Sequence, residues 1–204
     1  MPRTLSSARK RTYRQVARAH SAAETEERIL EAATKLFSER YYDEVTLDQV
    51  AEAAGVSTKT VIRRFGTKEA LAGRFIEAAG RHNGAMRDAV PASDVDAALR
   101  MILEMYELFG DSVLRTLSLD GRIQMVTAIA DEGRKLHTAW VVRVFGPLVR
   151  DDPAQRSIDL ALLLVATDVY TWKLLRRDRG LSAAQAARAV RQLVDRCLSR
   201  PSHQ

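Results

Sequence analysis

Cysteine, glycine, proline and aromatic residues are all scarce in this chain of 204 residues. The single cysteine, Cys197, excludes an intramolecular disulfide framework and any metal site built from several cysteines. The 10 glycines and 5 prolines are too few for the closely spaced turns of an all-β fold. Apolar residues make up 46% of the chain, which is enough for a folded core, and good helix formers dominate. We therefore expect an all-α protein.

Long apolar runs are also missing, and we expect no secretory leader. The longest strictly apolar run, Leu160–Ala166, has seven residues, whereas a membrane helix needs about 20. The N-terminus has no apolar stretch like that of a secretory signal, although its arginine-rich, acid-free composition is also typical of transit peptides. We expect a cytoplasmic protein with no membrane partner. The transit-peptide alternative stays open here. The helix-turn-helix pattern described below favours an arm that binds DNA instead.

Positive charge is concentrated at the start of the chain. Residues 1–23 contain six cationic residues and no acidic one, so their charge equals the +6 of the whole chain. Such a segment predicts a basic arm for a polyanionic partner. A solubilising tail is the alternative, and an extension of the first helix through residues 6–19 also agrees with the sequence. The candidate DNA contacts in the arm are Arg9, Lys10, Arg11 and Arg14.

Helical periodicity and capping residues place four helices between residues 25 and 87. The first is expected over Thr25–Arg40, and the last from Lys68 to about Arg87. Between them, Thr46 and Gln49 form a capping-box pattern that starts a short helix.

A tight turn joins this short helix to the next. The turn is Ala53-Ala54-Gly55-Val56-Ser57, in which Gly55 ends one helix and Ser57 can cap the next, Thr58–Phe65. Two short helices that meet in this way are typical of a helix-turn-helix, whose second helix enters the major groove of DNA.

Three longer segments, the last of which includes this turn, carry a pattern of residue types at fixed spacings. They read Ile29-Leu30-x-Ala32-Ala33-x-x-Leu36-Phe37, Thr46-x-x-x-Val50-Ala51, and Ala54-Gly55-Val56-Ser57-x-x-Thr60-Val61-x-x-x-Phe65-x-x-Lys68-Glu69-x-Leu71. Through them, residues 25–75 resemble the DNA-binding domain of TetR-type transcriptional regulators. The resemblance implies a homodimeric, all-helical bacterial repressor with a variable C-terminal ligand domain.

Four positions depart from that family's usual pattern. Tyr41 stands where glycine is common, which predicts either a strained left-handed residue or a different turn. Ile62 and Arg64 replace aromatic residues that commonly touch the DNA backbone, and Arg64 adds a charge that could restore a phosphate contact. Gly66 replaces a common proline and is expected only to loosen the turn.

The DNA contacts follow from positions on and around the third helix. Thr58, Lys59 and Arg63 are best placed to reach base edges. The other candidate DNA-binding residues, most of them expected on phosphates, are Thr46, Ser57, Thr60, Arg64 and Lys68.

The C-terminal segment reads as further helices, for a total of about nine. One of these helices is expected to end at Gly110. Residues Arg122–Arg150 carry a long helical stripe of apolar side chains, which can break near Gly146. Ala154–Asp178 is apolar nearly all round, and Ser182–Leu198 has one apolar face. Such faces favour a homodimer through the two C-terminal helices. The residues expected near the two-fold axis are Leu162, Val165, Val169, Val190, Leu193, Val194 and Cys197.

Flexible and aromatic side chains in this segment also suggest a ligand pocket for an unknown small-molecule effector. His137 and Asp168 are the polar groups most expected inside it. The full set of candidates is Met101, Met105, Tyr106, Met125, His137, Trp140, Asp168, Tyr170 and Trp172. No nucleophile elbow, phosphate-binding loop or dinucleotide fingerprint occurs, so we expect no catalytic residues, no metal and no cofactor.

These observations predict three parts: a basic arm over 1–23, a helix-turn-helix domain over 24–75, and a helical ligand-binding and dimerisation domain over 76–204. The function expected is a ligand-responsive transcriptional regulator, a homodimer that binds a palindromic double-stranded DNA operator. A nucleic-acid-coating protein that binds by charge alone is the alternative, and a protein scaffold is a third.

Overall fold

The described part of the chain folds into nine α-helices and contains no β-strand. In this computed structural model the backbone is described for residues 4–199 and the side chains for residues 20–199. The helices are α1 Thr4–Glu39, α2 Leu47–Ala53, α3 Thr58–Phe65, α4 Lys68–Asp88, α5 Val95–Leu117, α6 Gln124–Phe145, α7 Pro153–Ala166, α8 Val169–Lys173 and α9 Ala183–Leu198. The all-α fold predicted from the sequence is confirmed. None of the described helices is long and apolar enough to cross a membrane.

The chain divides into two compact units, with the boundary between Glu77 and Ala78. The N-terminal unit has a core formed by α1, α2, α3 and the start of α4. Its fully or nearly buried residues include Ile29, Ala33, Val45, Val50, Val61 and Leu71. The C-terminal unit has a larger core of α5 to α9, which includes Ile102, Val141, Phe145, Leu163, Trp172 and Val194.

The first helix is much longer than the sequence predicted. Its backbone is helical from Thr4 to Glu39, so the boundary expected at residue 23 is not a break in the chain. The helix extension left open by the sequence is therefore the observed conformation of residues 4–23. The side chains of Arg9, Lys10, Arg11 and Arg14 lie outside the described side chains.

The connections of the N-terminal unit explain two departures from the family pattern. Tyr41 has φ −66° and ψ 144°, an extended conformation that any residue adopts, so no strained left-handed turn is present there. Gly66 ends α3 with φ +78°. A residue with a Cβ rarely adopts that angle, so this glycine makes a sharp exit from the helix possible.

Gly110 does not end a helix, and that prediction was wrong. The residue lies inside α5, which continues to Leu117. A Cβ on Gly110 would lie 2.5 Å from a ring carbon of Trp172. The glycine is therefore explained by the close approach of the indole ring to α5.

The long apolar stretch 154–178 is not one helix, as had been expected. α7 ends at Ala166, and α8 starts after Asp168 and is followed by a π-helical turn, Leu174–Asp178. At the break, the Thr167 hydroxyl donates to Leu163 O at 2.8 Å, and Asp168 caps α8 by accepting from Tyr170 N at 2.8 Å. Leu163 O also keeps its helical bond from Thr167 N at 3.1 Å, so the hydroxyl adds a second donor there, whereas Asp168 accepts from an amide at the new helix start.

The break divides the apolar side chains into a buried and an exposed set. Val169, Val190 and Val194 are at most 4% exposed and belong to the core of the C-terminal unit. Their predicted place at a two-fold axis was wrong, because an apolar sequence pattern does not distinguish a core from an interface. Leu162, Val165 and Leu193 are exposed, and Cys197 is half-buried.

Candidate nucleic-acid interface

The turn between α2 and α3 fixes the direction in which α3 leaves the domain. Gly55 has φ +65°, and Val56 N donates to Ala51 O at 2.9 Å across the turn. Ser57 then caps α3 by accepting from Thr60 N at 3.2 Å. Because each of these bonds closes a ring of a few residues, the angle between the two short helices is held by local geometry.

α2 starts with the capping box predicted from the sequence. The Thr46 hydroxyl accepts from Gln49 N at 3.2 Å, and the Gln49 side chain accepts from Thr46 N at 3.0 Å. A second bond joins the two helices, from the Thr58 hydroxyl to Asp48 Oδ1 at 2.5 Å. The hydroxyls of Thr46, Ser57 and Thr58 thus hold α2 and α3 in place.

The two faces of α3 differ completely in character. Val61 is fully buried, whereas Lys59, Ile62 and Arg63 are exposed. Residues three and four apart on a helix are neighbours, so these three side chains form one continuous outward surface. Among residues 20–199, neither Lys59 nor Arg63 has a hydrogen-bond or ion-pair partner. We call Lys59, Ile62 and Arg63 the outward face of α3.

Lys68 lies inside the domain rather than on this surface. Its Nζ donates to Tyr42 O and to Val45 O, both at 2.9 Å, and lies 4.3 Å from the centre of the Tyr42 ring. The Tyr42 hydroxyl donates to Glu69 at 3.2 Å. Partial burial, and secondarily Glu69, raises the pKa of Tyr42 to about 12, so this hydroxyl keeps its proton. The ammonium of Lys68 joins α4 to the connection between α1 and α2, which uses two of its three donors within the domain.

Arg64 is turned toward α1. Its Nη1 lies 3.6 Å from Glu26 Oε2, and its side chain is 22% exposed. The Nε atom is buried without a hydrogen-bond partner. Arg64 therefore already has one anionic neighbour within the domain.

The ligand candidates of the C-terminal unit do not all lie together. Met101, Met105, Tyr106, His137, Trp140 and Trp172 are buried in the core. Met125 and Asp168 are half-buried, and Tyr170 is 55% exposed, so Tyr170 lies at the surface.

Two buried polar atoms in this core have no partner. The Thr167 hydroxyl gives its hydrogen to Leu163 O, so at 3.2 Å it accepts from His137 Nε2. This leaves His137 Nδ1 as an acceptor with no donor, and Trp140 Nε1 as a donor with no acceptor. Burial, and secondarily the Arg87 guanidinium, lowers the pKa of His137, so the ring is neutral at pH 7.

One buried carboxylate of this unit, that of Asp159, has a structural role. Asp159 is 2% exposed and accepts from Arg150 Nε and Nη2, both at 2.9 Å. Hydrogen bonds from Arg150 lower the pKa of Asp159, so the pair is ionised. Within residues 20–199 there is no group of three or more His, Cys, Asp or Glu side chains that could hold a metal ion.

Comparison with known proteins identifies this arrangement. Residues 29–75 match the model of the bacterial regulatory proteins of the tetR family. They contain the core of α1, the whole helix-turn-helix and the start of α4. Residues 29–75 therefore form a TetR-type domain, which contains α2, the turn and α3.

Solved structures of TetR-family proteins share the fold over most of the chain. A regulator from Streptomyces coelicolor has a TM-score of 0.63 and 23% identity, covering 86% of this chain and 79% of its own. A protein from Mesorhizobium loti assigned to the same family has a TM-score of 0.60 and 18% identity, covering 87% and 96%.

A gamma-butyrolactone receptor also has this fold. Its TM-score is 0.52 at 21% identity, and the match covers 87% of this chain and 98% of the receptor. These identities are too low to carry over a ligand. No curated protein matches the sequence.

Two features are not predicted by the sequence. The sequence marks Ile62 only as a lost aromatic residue, although its side chain belongs to the outward face of α3. Arg87 was not singled out, although it is largely buried, burial lowers its pKa, and its Nε has no hydrogen-bond partner. Nothing in the sequence around Arg87 could have indicated its burial, because its neighbours arrive from other helices.

The assignment of Lys68 gives a stability prediction. Lys68→Met removes both hydrogen bonds to the carbonyls of Tyr42 and Val45, and should lower the stability of the N-terminal unit by about 1–3 kcal/mol. Lys59→Met is the matched control and should change it by less than about 0.5 kcal/mol, because Lys59 is exposed. Amide hydrogen exchange of α2 and α3 in urea measures both effects. Equal protection in the two variants would contradict the structural role of Lys68.

Proposed function

We propose that this chain is a homodimeric, ligand-responsive repressor in the bacterial cytoplasm that binds a palindromic DNA operator through α3. The outward face of α3 carries this proposal. It presents two cations without partners on a helix whose opposite face is buried and whose start is capped. A rigid helix with a cationic outer surface fits the major groove of DNA.

Within this proposal, Lys59 and Arg63 read base edges. Both side chains are long enough to reach the acceptor atoms of guanine in the major groove. Thr58 lies beside them, although its hydroxyl is bonded to Asp48. The expected phosphate contacts are Thr46, Ser57, Thr60 and Arg64, together with Arg9, Lys10, Arg11 and Arg14 from the first helix.

An exposed apolar surface on α7 and α9 supports the dimer. Ile158, Leu162 and Val165 are spaced by four and three residues on α7 and are 53%, 48% and 64% exposed. Leu193, on the neighbouring α9, is 41% exposed. A continuous apolar surface of this kind is usually covered by a partner subunit. We assign a second copy of this chain to it, because an operator with two half-sites requires two copies of α3.

The buried polar atoms around His137 support the effector site. A neutral His137 Nδ1 without a donor and a Trp140 Nε1 without an acceptor each lose the free energy of a hydrogen bond. A small molecule that supplies these partners would bind among the core side chains of α5, α6 and α8. If this conformation differs from the DNA-binding one, the ligand shifts the population and releases the operator.

The first test is sequence preference. Duplexes selected by the wild-type protein from a random library are compared with random DNA. Lys59→Ala and Arg63→Ala should each reduce the ratio of specific to random affinity by roughly tenfold, as expected for one lost base contact. The control Lys135→Ala removes an exposed cation from α6 and should leave this ratio unchanged.

Two outcomes would contradict base readout by α3. One is a parallel loss of affinity for selected and random duplexes in both α3 variants. The other is failure of the wild-type protein to enrich any sequence. Either result, combined with a steep dependence of affinity on salt, favours the alternative of a protein that coats nucleic acid by charge.

The second test is the dimer. Val165→Glu places a charge on the exposed surface of α7, where it leaves the fold intact but would be desolvated at a subunit interface. Sedimentation should therefore show monomers for Val165→Glu and dimers for the control Leu136→Glu, whose site on α6 is 43% exposed. Dimers for Val165→Glu and monomers for Leu136→Glu would place the interface on α6 instead.

The third test is the effector site. Polar metabolites are screened by fluorescence anisotropy for release of the labelled, selected duplex. His137→Leu should retain affinity for the duplex but require about tenfold more of any releasing compound, since one hydrogen bond is lost. Compounds that release both proteins equally, or a library in which none releases the wild-type protein, would contradict an effector site at His137.

A further inference from the structure

The outward face of α3 includes one apolar side chain. Ile62 is 50% exposed and lies at one edge of this face, beside Lys59, which is three residues before it on the helix. The neighbouring Val61 is fully buried and already supplies the core contact of this turn of the helix. Ile62 is therefore not needed to hold α3 against the domain.

Local stability does not explain Ile62 either. A β-branched residue loses side-chain freedom in a helix and is a weaker helix former than lysine or arginine. Half of its surface remains in water, so much of its possible hydrophobic gain is missing in the isolated protein. An exposed apolar side chain beside an unpaired cation gains most when a partner covers both together.

The major groove of DNA offers an apolar side chain one particular partner. Each base pair presents hydrogen-bond donors and acceptors there, and thymine adds the only apolar group, its C5-methyl. Lys59 and Arg63 can bond the polar edges of neighbouring base pairs, whereas Ile62 cannot. We propose that Ile62 contacts the C5-methyl of a thymine in each half-site and so determines specificity at that position. This inference rests on the proposed insertion of α3 into the major groove.

The shape of α3 around Ile62 favours a close approach. An isoleucine side chain is shorter than lysine or arginine, so the helix must lie near the base edges for Ile62 to touch them. The residues at the two ends of α3 are small: Thr58 is half-buried with its hydroxyl bonded to Asp48, and no atom lies within 4 Å of the Cβ position of Gly66. No aromatic residue projects from the outward face.

The test replaces single thymines by deoxyuridine in a duplex that the wild-type protein has selected. This removes one methyl group and leaves every hydrogen-bonding group of the base pair in place. One such position per half-site should weaken wild-type binding about fourfold, the value expected for the loss of one buried methyl group. Ile62→Ala should bind the thymine and deoxyuridine duplexes equally at that position.

Two controls separate this contact from other causes. Lys59→Ala should bind more weakly overall but retain the fourfold difference between thymine and deoxyuridine. Ile62→Val keeps a branched apolar side chain and should retain part of the difference. Thermal unfolding of Ile62→Ala should match the wild type, since the side chain is half exposed.

Three outcomes would overturn the inference. Specific binding without any deoxyuridine-sensitive position removes the methyl contact but leaves the proposed function intact. A sensitive position that is equally sensitive in Ile62→Ala assigns the methyl to another residue. Failure to select any sequence overturns the proposed function and this inference together.

Discussion

The ammonium of Lys68 holds the N-terminal unit together at its least regular point. Lys68 Nζ donates to two carbonyls in the connection between α1 and α2, those of Tyr42 and Val45, both at 2.9 Å. This contact joins the start of α4 to the segment that leads into α2. The local caps and the buried side chains of Val50 and Val61 then hold α2 and α3 in place beside this segment. A charge that a sequence pattern places on the surface is thus part of the framework.

The same unit separates the residues that build it from those left for a partner. Val61 and Leu71 are fully buried, and the hydroxyls of Thr46, Ser57 and Thr58 close hydrogen bonds within the unit. What remains on α3 is the outward face, whose cations have no partners among the described side chains. The buried side gives α3 a fixed orientation, and the exposed side gives it chemistry suited to DNA. Both are properties of a helix of only eight residues.

The sequence predicted the N-terminal unit better than the C-terminal one, for a physical reason. Caps and tight turns are local, so Thr46, Gly55 and Ser57 could be assigned without knowledge of their neighbours. The break at Thr167 and the glycine at position 110 depend on contacts between distant helices, such as that of Trp172 with α5. The burial of Val194 and the exposure of Val165 have the same origin, since periodicity alone does not say which helix covers a given face. The roles of Lys68 and Arg87 were likewise set by residues brought together only in the fold.

The central claim is that α3 lies in the major groove, and chemical protection of the bound DNA tests it most directly. Dimethyl sulfate methylates guanine N7 in the major groove and adenine N3 in the minor groove. With a selected duplex, the account predicts protection of guanine N7 in two patches about 10 base pairs apart, one for each copy of α3. Protection of adenine N3 alone, or uniform protection along the duplex, would contradict it.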